Sequence, residues 1–388
     1  MAVQTQEAPL RGSYERRKPR RRAAGFEYVG GSDYVLLLTV LALVTIGLLM
    51  VYSATYTLGY YLHENAHWFI QRQAEWAGLG LVTMLVFWRI PYATWQRWSV
   101  PIMALTVAAL LVLLLLAKSV FGATRWLVNG SIQPAEAAKV AIIIYIAHWA
   151  SSKDERIRKL DAGLIPFAVL IGLVSGLILL QPDFSTAALV ALTSVTMFFI
   201  AGADLKQLVV TGLIGSTTLV LVATRASYRV DRIEAFLNPI DTQAGVGYQI
   251  SQVLLAFARG GLKGEGLGSS RGNVPYLPAG HTDAIFAILG QELGLIACLL
   301  VLGLFLLLAH RGFRIAAAAP DAFGTILASG VTCWLIFQAI VNVAVVTSSI
   351  PFTGVPLPFI SFGGSSLVTA LAGVGLLLSV SATRRAQG

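Results

Sequence analysis

The sequence predicts an all-α, polytopic membrane protein with ten transmembrane helices. Three observations carry this. Of 388 residues, 56% are apolar and only 12% charged, about half the charged fraction of a soluble domain. Apolar runs long enough to span a hydrocarbon core recur along the chain. Lys and Arg are divided unevenly between the segments that join those runs.

The chain opens on a basic block, RRKPRRR, from Arg16 to Arg22. Residues 1–33 read as a disordered cytoplasmic tail that fixes orientation, in preference to a nucleic-acid arm or a lipid-surface contact. It does not read as a signal peptide, because no cleavage site follows the first apolar run. Ten spans follow, at about 34–55, 74–90, 99–117, 135–150, 164–181, 184–202, 207–224, 283–308, 322–347 and 365–382. The fourth is short and carries Glu136, Lys139 and His148. The fifth and sixth are joined by Gln181-Pro182-Asp183, a tight hairpin in which the proline ends a helix. One membrane domain, 34–382, thus lies between the basic tail and a short tail at 383–388.

With the N-terminus inside, the inner segments hold 18 Lys and Arg and the outer segments 9, although the outer ones are longer. The positive-inside rule therefore places both termini in the cytoplasm. Residues 225–282 form a long outer connection, and loops of that length are usually functional or disordered. Amphipathic patterns near 229–238 and 246–258 predict surface helices within it. Cys298 and Cys333 fall inside apolar runs, and neither a disulfide framework nor a metal motif follows from them.

Candidate chemistry gathers at the outer face. Asp283 stands where a Gly- and Pro-rich loop enters the eighth span. The plainer reading is that Thr282 or Asp283 caps that helix; the sharper one, compatible with it, is that Asp283 is a general base at the membrane surface. His281 is two residues before it and is placed either to orient it or to cap. Glu292 lies nine residues on, about 13.5 Å deeper and on the opposite helix face, so it does not pair with Asp283. Gln291 and Glu292 are expected to bond to neighbouring spans. Glu136 and Lys139 share a helix face, either as a structural ion pair or with Lys139 facing a diphosphate. Arg125 and Trp126 precede them at the interface. Asp183 is a turn residue, and Gln338 and Asn342, spaced i,i+4, read as interhelical glue. Outer basic residues (Arg229, Arg232, Arg259, Lys263 and Arg271) suit an anionic head group. A lipid-linked, phosphate-bearing substrate handled outside the cell is the expectation from these residues alone.

Five motifs then carry a resemblance: RWLVNGSIQPAEAAKVA, LLQPDFSTAALV, GGLKGEGLGSS, YLPAGHTDAIFAILGQELG and GVPLPFISFGGSSL. In this order, across about residues 34–382, the chain resembles the SEDS family (shape, elongation, division and sporulation), whose members include FtsW and RodA. YRVDRIEAFLNP, GLGSSRGNVPYLP and the basic extension are nearer FtsW. The resemblance implies a ten-span glycosyltransferase that polymerises lipid II together with a class B penicillin-binding protein, in the bacterial plasma membrane and in the division or elongation machinery. It implies that Asp283 is the essential aspartate, Trp126 the outer-loop tryptophan, Glu136 and Lys139 the fourth-span pair, and Asp183 the hairpin aspartate. Four positions depart from the family pattern: Ala279, Ala284, Gln291 and Phe362. The two missing carboxylates, at 279 and 291, argue against a second-carboxylate mechanism there.

The expected reaction is inverting. Asp283 takes a proton from the acceptor hydroxyl, and a polyprenyl diphosphate leaves. Arg125, Trp126, Glu136, Lys139, Asp183, Arg259, Lys263 and His281 are the expected substrate contacts. No cofactor is certain, but a divalent cation (Mg or Mn) fits the diphosphate. The alternatives are a lipid II flippase, which needs a polar site at mid-membrane reachable from both sides, and a non-catalytic division scaffold.

Overall fold

The structure, a computed structural model, describes residues 26–28, 31–116, 133–225, 232, 234, 236–237, 246–270 and 280–385. Its elements run β1 (Phe26–Tyr28), α1 (Tyr34–His63), α2 (Trp68–Arg89), α3 (Tyr92–Leu116), α4 (Pro134–Ser151), α5 (Ile165–Leu179), α6 (Phe184–Ile200) and α7 (Leu205–Arg225). They continue with α8 (Val246–Gly260), α9 (Ile285–Ala318), α10 (Ala322–Val346), α11 (Gly364–Ala382) and β2 (Thr383–Arg385). A 3-10 turn (Asp154–Arg158) and a π turn (Leu160–Leu164) lead into α5.

A helix lies under each of the ten apolar runs. Six are long and apolar enough to cross a membrane by length and composition: α1, α3, α5 with its leading turn, α9, α10 and α11. α8 falls where the sequence places an amphipathic helix. Its Ile250, Val253 and Ala256 are buried, while Arg259 in its last turn is exposed. Arg232, Glu234, Phe236 and Leu237, in the other expected surface helix, are helical too.

The helices outrun the apolar windows. α1 continues to His63, α3 begins at Tyr92, and α9 runs on to Ala318. Apolarity marks only the stretch that suits hydrocarbon, whereas backbone hydrogen bonding persists until a cap or turn ends it. Three carboxylates do the starting. Asp33 accepts from Leu36 N at 2.9 Å, Asp183 from Thr186 N at 3.2 Å, and Asp321 from Gly324 N at 2.7 Å. α1 stops at Glu64, which is left-handed at φ 53°.

The fold is all-α, as expected, with one short ribbon added to it. β1 and β2 pair antiparallel, with Phe26 opposite Arg385 and Tyr28 opposite Thr383. Beside this ribbon, Arg311 Nη2 meets Asp33 Oδ2 at 2.7 Å, and Asp33 N donates to Ser381 Oγ at 3.2 Å. The starts of α1 and the ends of α9 and α11 thus share one end of the bundle. The rest of the expected tail, 1–33, lies outside the described residues.

α4 and α10 form the centre. α4 packs against α3, α6, α10 and α11, and α10 also packs against α6, α9 and α11. α11 runs alongside α2. Thirteen of the eighteen residues of α4 are buried, Glu136 and Lys139 included, so its charge is that of a core helix, not of one facing lipid.

Candidate active site

Pro134 opens α4 at its first turn, where its missing N–H costs nothing. One turn in, Glu136 and Lys139 project from the same face. Lys139 Nζ lies 2.8 Å from Glu136 Oε2, and both side chains are almost fully buried. Each has further partners. Lys139 Nζ donates to Gln338 Oε1 at 3.0 Å and sits 5.2 Å from the Trp334 ring centre. Glu136 Oε2 accepts from Thr369 Oγ1 at 3.3 Å. A buried charge needs such a set of partners.

Asp183 both caps α6 and accepts from Gln133 Nε2 at 2.9 Å, which ties the α5–α6 hairpin to the start of α4. The next wall is the Pro- and Gly-rich segment 348–364. Gln338 Nε2 donates to Pro356 O at 3.0 Å, and Asn342 Nδ2 donates to Val355 O at 2.7 Å. Gln338 and Asn342 therefore do more than join helices: they hold a loop. Arg232 Nη1 reaches Phe352 O of the same loop at 3.3 Å.

Asp283 completes the ring. Its own carbonyl accepts from Asn342 Nδ2 at 2.8 Å, and the carbonyl of Thr282 accepts from Ser361 Oγ at 2.6 Å. Its backbone is thus pinned on two sides while its side chain remains half-buried. The expectation that it caps the helix is corrected: α9 is capped at Ala284, with no side-chain cap bond. Gly354, at φ +74°, leaves room for the carboxylate; a Cβ there would stand 3.2 Å from Asp283 Oδ2. Glu136, Lys139, Asp183 and Asp283 line one cavity of about 280 Å³, with Gln133, Thr186, Thr282, Phe362 and the 363–366 turn.

Other expected residues lie elsewhere. The His281 ring packs edge-on against Phe69 at 5.3 Å and tilted against Phe362 at 5.6 Å. Burial pushes its pKa down to about 4, so it is a neutral packing group, and its main-chain carbonyl accepts from Phe362 N. It neither orients Asp283 by a hydrogen bond nor caps α9. Arg259 and Lys263 are exposed and do not line the cavity. Arg125, Trp126, Arg229 and Arg271 lie outside the described residues.

Gln291 and Glu292 divide between two destinations. Glu292 bonds to Ser53 of α1 at 2.6 Å, as expected of a neighbouring span. Gln291 Nε2 instead donates to Glu265 Oε2 of the segment that follows α8, at 2.9 Å. Sequence reasoning missed Gln133, Thr186 and Thr369. The signal for them was slight, since a hydroxyl or amide beside a helix start is commonplace.

The arrangement places a half-buried carboxylate with a fixed backbone at a cavity that also presents a buried ion pair and a second carboxylate. That suits proton transfer.

The family described as cell cycle protein, spanning FtsW, RodA and SpoVE, matches residues 34–386. The chain is 41% identical over 370 residues to the probable peptidoglycan glycosyltransferase FtsW of Trichlorobacter lovleyi, covering 94% of this chain and 95% of that protein. It is 40% identical to stage V sporulation protein E of Bacillus subtilis, over 90% of this chain and 96% of that one. Among solved structures, it is similar to one described as the structural coordination of polymerization and crosslinking by a peptidoglycan synthase complex. There the TM-score is 0.74 at 28% identity, with 90% of this chain and 98% of that chain covered. It is also similar to the rod shape determining protein RodA of Thermus thermophilus, with a TM-score of 0.68 at 27% identity over 92% of this chain and 99% of that one. Motif order, fold and overall likeness converge, and the chain belongs to the FtsW/RodA/SpoVE family.

Proposed function

We propose that the protein is a ten-span peptidoglycan glycosyltransferase that polymerises lipid II into β-1,4 glycan strands for septal wall synthesis. The observation that carries this reading is the single cavity joining Asp283, Asp183 and the Glu136–Lys139 pair. The names of its relatives support it.

Asp283 acts as general base. Its carboxylate takes the proton of the 4-hydroxyl on the acceptor GlcNAc while that oxygen bonds to the anomeric carbon of the donor. The bond from that carbon to the diphosphate oxygen breaks with inversion, and the electron pair leaves on the polyprenyl diphosphate. The Glu136–Lys139 pair shapes the cavity floor, and Asp183 with Gln133 fixes its side. Arg125 and Trp126, which precede α4 in sequence, are assigned to the substrate through the resemblance of their motif. Arg259 and Lys263 are assigned to the part of an anionic substrate that extends beyond the cavity. A divalent cation, Mg or Mn, would fit the leaving diphosphate, whose developing charge it would help to neutralise.

The six apolar helices and the family support a multi-pass bacterial membrane protein. The charge bias supports cytoplasmic termini. The similar peptidoglycan synthase complex supports a class B penicillin-binding protein as partner.

The test is polymerisation of lipid II by the purified chain with its partner in detergent, where no leaflet exists to flip across. Wild-type protein is expected to form glycan strands, whereas Asp283→Asn, still folded and partner-bound, forms none. Near-normal polymer from the Asn variant would refute Asp283 as base. Absence of polymer from wild type would favour a flippase or a scaffold.

A further inference from the structure

Helix α9 is broken. Gly294 has φ 76° and ψ −174°, so the run that starts just after Asp283 is a short half-helix ending at Leu293. A break inside a membrane-embedded helix frees backbone groups that must find partners. Here they are supplied by the outer segment that follows α8. Glu265 N and Gly266 N donate to the carbonyls of Gln291 and Glu292 at 3.0 and 2.9 Å. Leu295 N and Ile296 N donate to the carbonyls of Gly261 and Leu262 at 3.0 and 3.4 Å. The approach is too close for side chains: a Cβ on Gly264 would stand 2.2 Å from Glu292 O.

One side chain fastens this junction. Glu292 is fully buried. Its Oε2 accepts from Ser53 Oγ of α1 at 2.6 Å, and its Oε1 accepts from Ser270 Oγ of the outer segment. Among the described residues no cation pairs with it. A carboxylate buried for packing alone would be costly. Two hydroxyl donors, one from a long helix and one from a loop, match its acceptor-only character when ionised. Glu292 therefore joins three parts of the chain: α1, the segment that follows α8 and the half-helix that Asp283 immediately precedes.

We propose that Glu292 is a positioning residue for polymerisation: with Ser53 and Ser270 it locks the outer segment into the break of α9 and so fixes where Asp283 stands. The proposal rests on the reading of Asp283 as the base. It adds that the tie matters for the rate of the chemical step rather than for substrate affinity, because Glu292 does not line the cavity.

The experiment measures polymerisation rate against lipid II concentration for the full chain with its partner, alongside thermal unfolding. The variants are Ser270→Ala, the double variant Ser53→Ala with Ser270→Ala, Glu292→Gln and Glu292→Ala; Asp283→Asn serves as reference. Misplacing a catalytic group by an ångström can cost about a hundredfold. The Ser53/Ser270 double variant is therefore expected to lose about tenfold or more in kcat, with KM changed less than about twofold, well below its unfolding temperature. Glu292→Gln, which still bonds both hydroxyls, is expected to keep most of the wild-type kcat that Glu292→Ala loses. Should Glu292→Ala fail to fold, the serine variants decide. Unchanged kcat in the double variant, or a loss in unfolding temperature alone, overturns the proposal. Equal failure of Gln and Ala at 292 in a folded protein overturns the hydrogen-bonding tie. An active Asp283→Asn would instead sink the underlying reading of the base.

Discussion

Breaking the Glu136–Lys139 pair from either side should not cost the same. Removing one member of a buried pair leaves a charge in a low-dielectric interior, at roughly 3–5 kcal/mol. The partners left behind differ. After Glu136→Ala, the Lys139 ammonium keeps Gln338 Oε1 at 3.0 Å and the Trp334 face at 5.2 Å. After Lys139→Met, the Glu136 carboxylate keeps the Thr369 hydroxyl at 3.3 Å. The first variant should therefore fall near 3 kcal/mol, and the second near 5, both order-of-magnitude figures. Glu136→Ala with Lys139→Met removes both charges and should cost less than either single change. Thermal unfolding in neutral detergent measures the ranking, and lipid II polymerisation is read on the same samples. Stability restored in the double variant without polymerisation would show that the pair also serves the substrate. Equal losses in both single variants and the double would refute the pairing argument.

Three further outcomes are expected. Charge reversal at Arg259 or Lys263 should raise the lipid II KM by up to about fivefold with little change in unfolding temperature, since an exposed charge is worth under about 1 kcal/mol; an unchanged KM in both variants would remove these two residues from the substrate's path. The folded protein disfavours protonated His281, whose pKa is held at about 4 against 6.5 when unfolded. Acid therefore favours the unfolded state, and stability should fall as pH drops from about 6.5 to 4; in His281→Phe that part of the fall should vanish, and an unchanged pH profile of the unfolding temperature would refute the burial argument. Gly264→Ala should destabilise or displace the outer segment, because the new methyl meets Glu292 O and the residue sits at φ +81°; unchanged unfolding and protease resistance would refute the close docking.

Much of this was legible along the chain. Apolar runs located a helix at each of their ten places, and the Gln181-Pro182-Asp183 turn and the i,i+3 spacing of Glu136 and Lys139 located two walls of the cavity. Asp283 was legible as the residue at a join of loop and span. What the pattern could not carry was long-range. Gln338 and Asn342 were readable as polar residues on an apolar helix, but their targets are carbonyls in a loop whose own letters are mostly Pro, Gly and Phe. The break at Gly294 left one glycine as its trace, because the groups that satisfy it come from residues about thirty positions earlier in the sequence. His281 misled because its neighbour in sequence is an acid, while its neighbours in space are two phenylalanines from α2 and the last loop.

The ribbon that joins β1 to β2 has a mechanical meaning. α11 leads straight into it, with Ala382 followed by Thr383. Its other end, Gly364 to Ser366, is a wall of the cavity. Nineteen residues of helix make a rod about 28 Å long. The rod has little slack, since its flank is packed along α2 and the residue before it is tethered by Gln73, whose Oε1 accepts from Gly363 N at 3.3 Å. A pull on the paired chain ends along the bundle axis is thus transmitted by a stiff strut to the cavity wall rather than absorbed by a loop. Anything that grips the tails holds, at arm's length, the far side of the chamber that Asp283 faces.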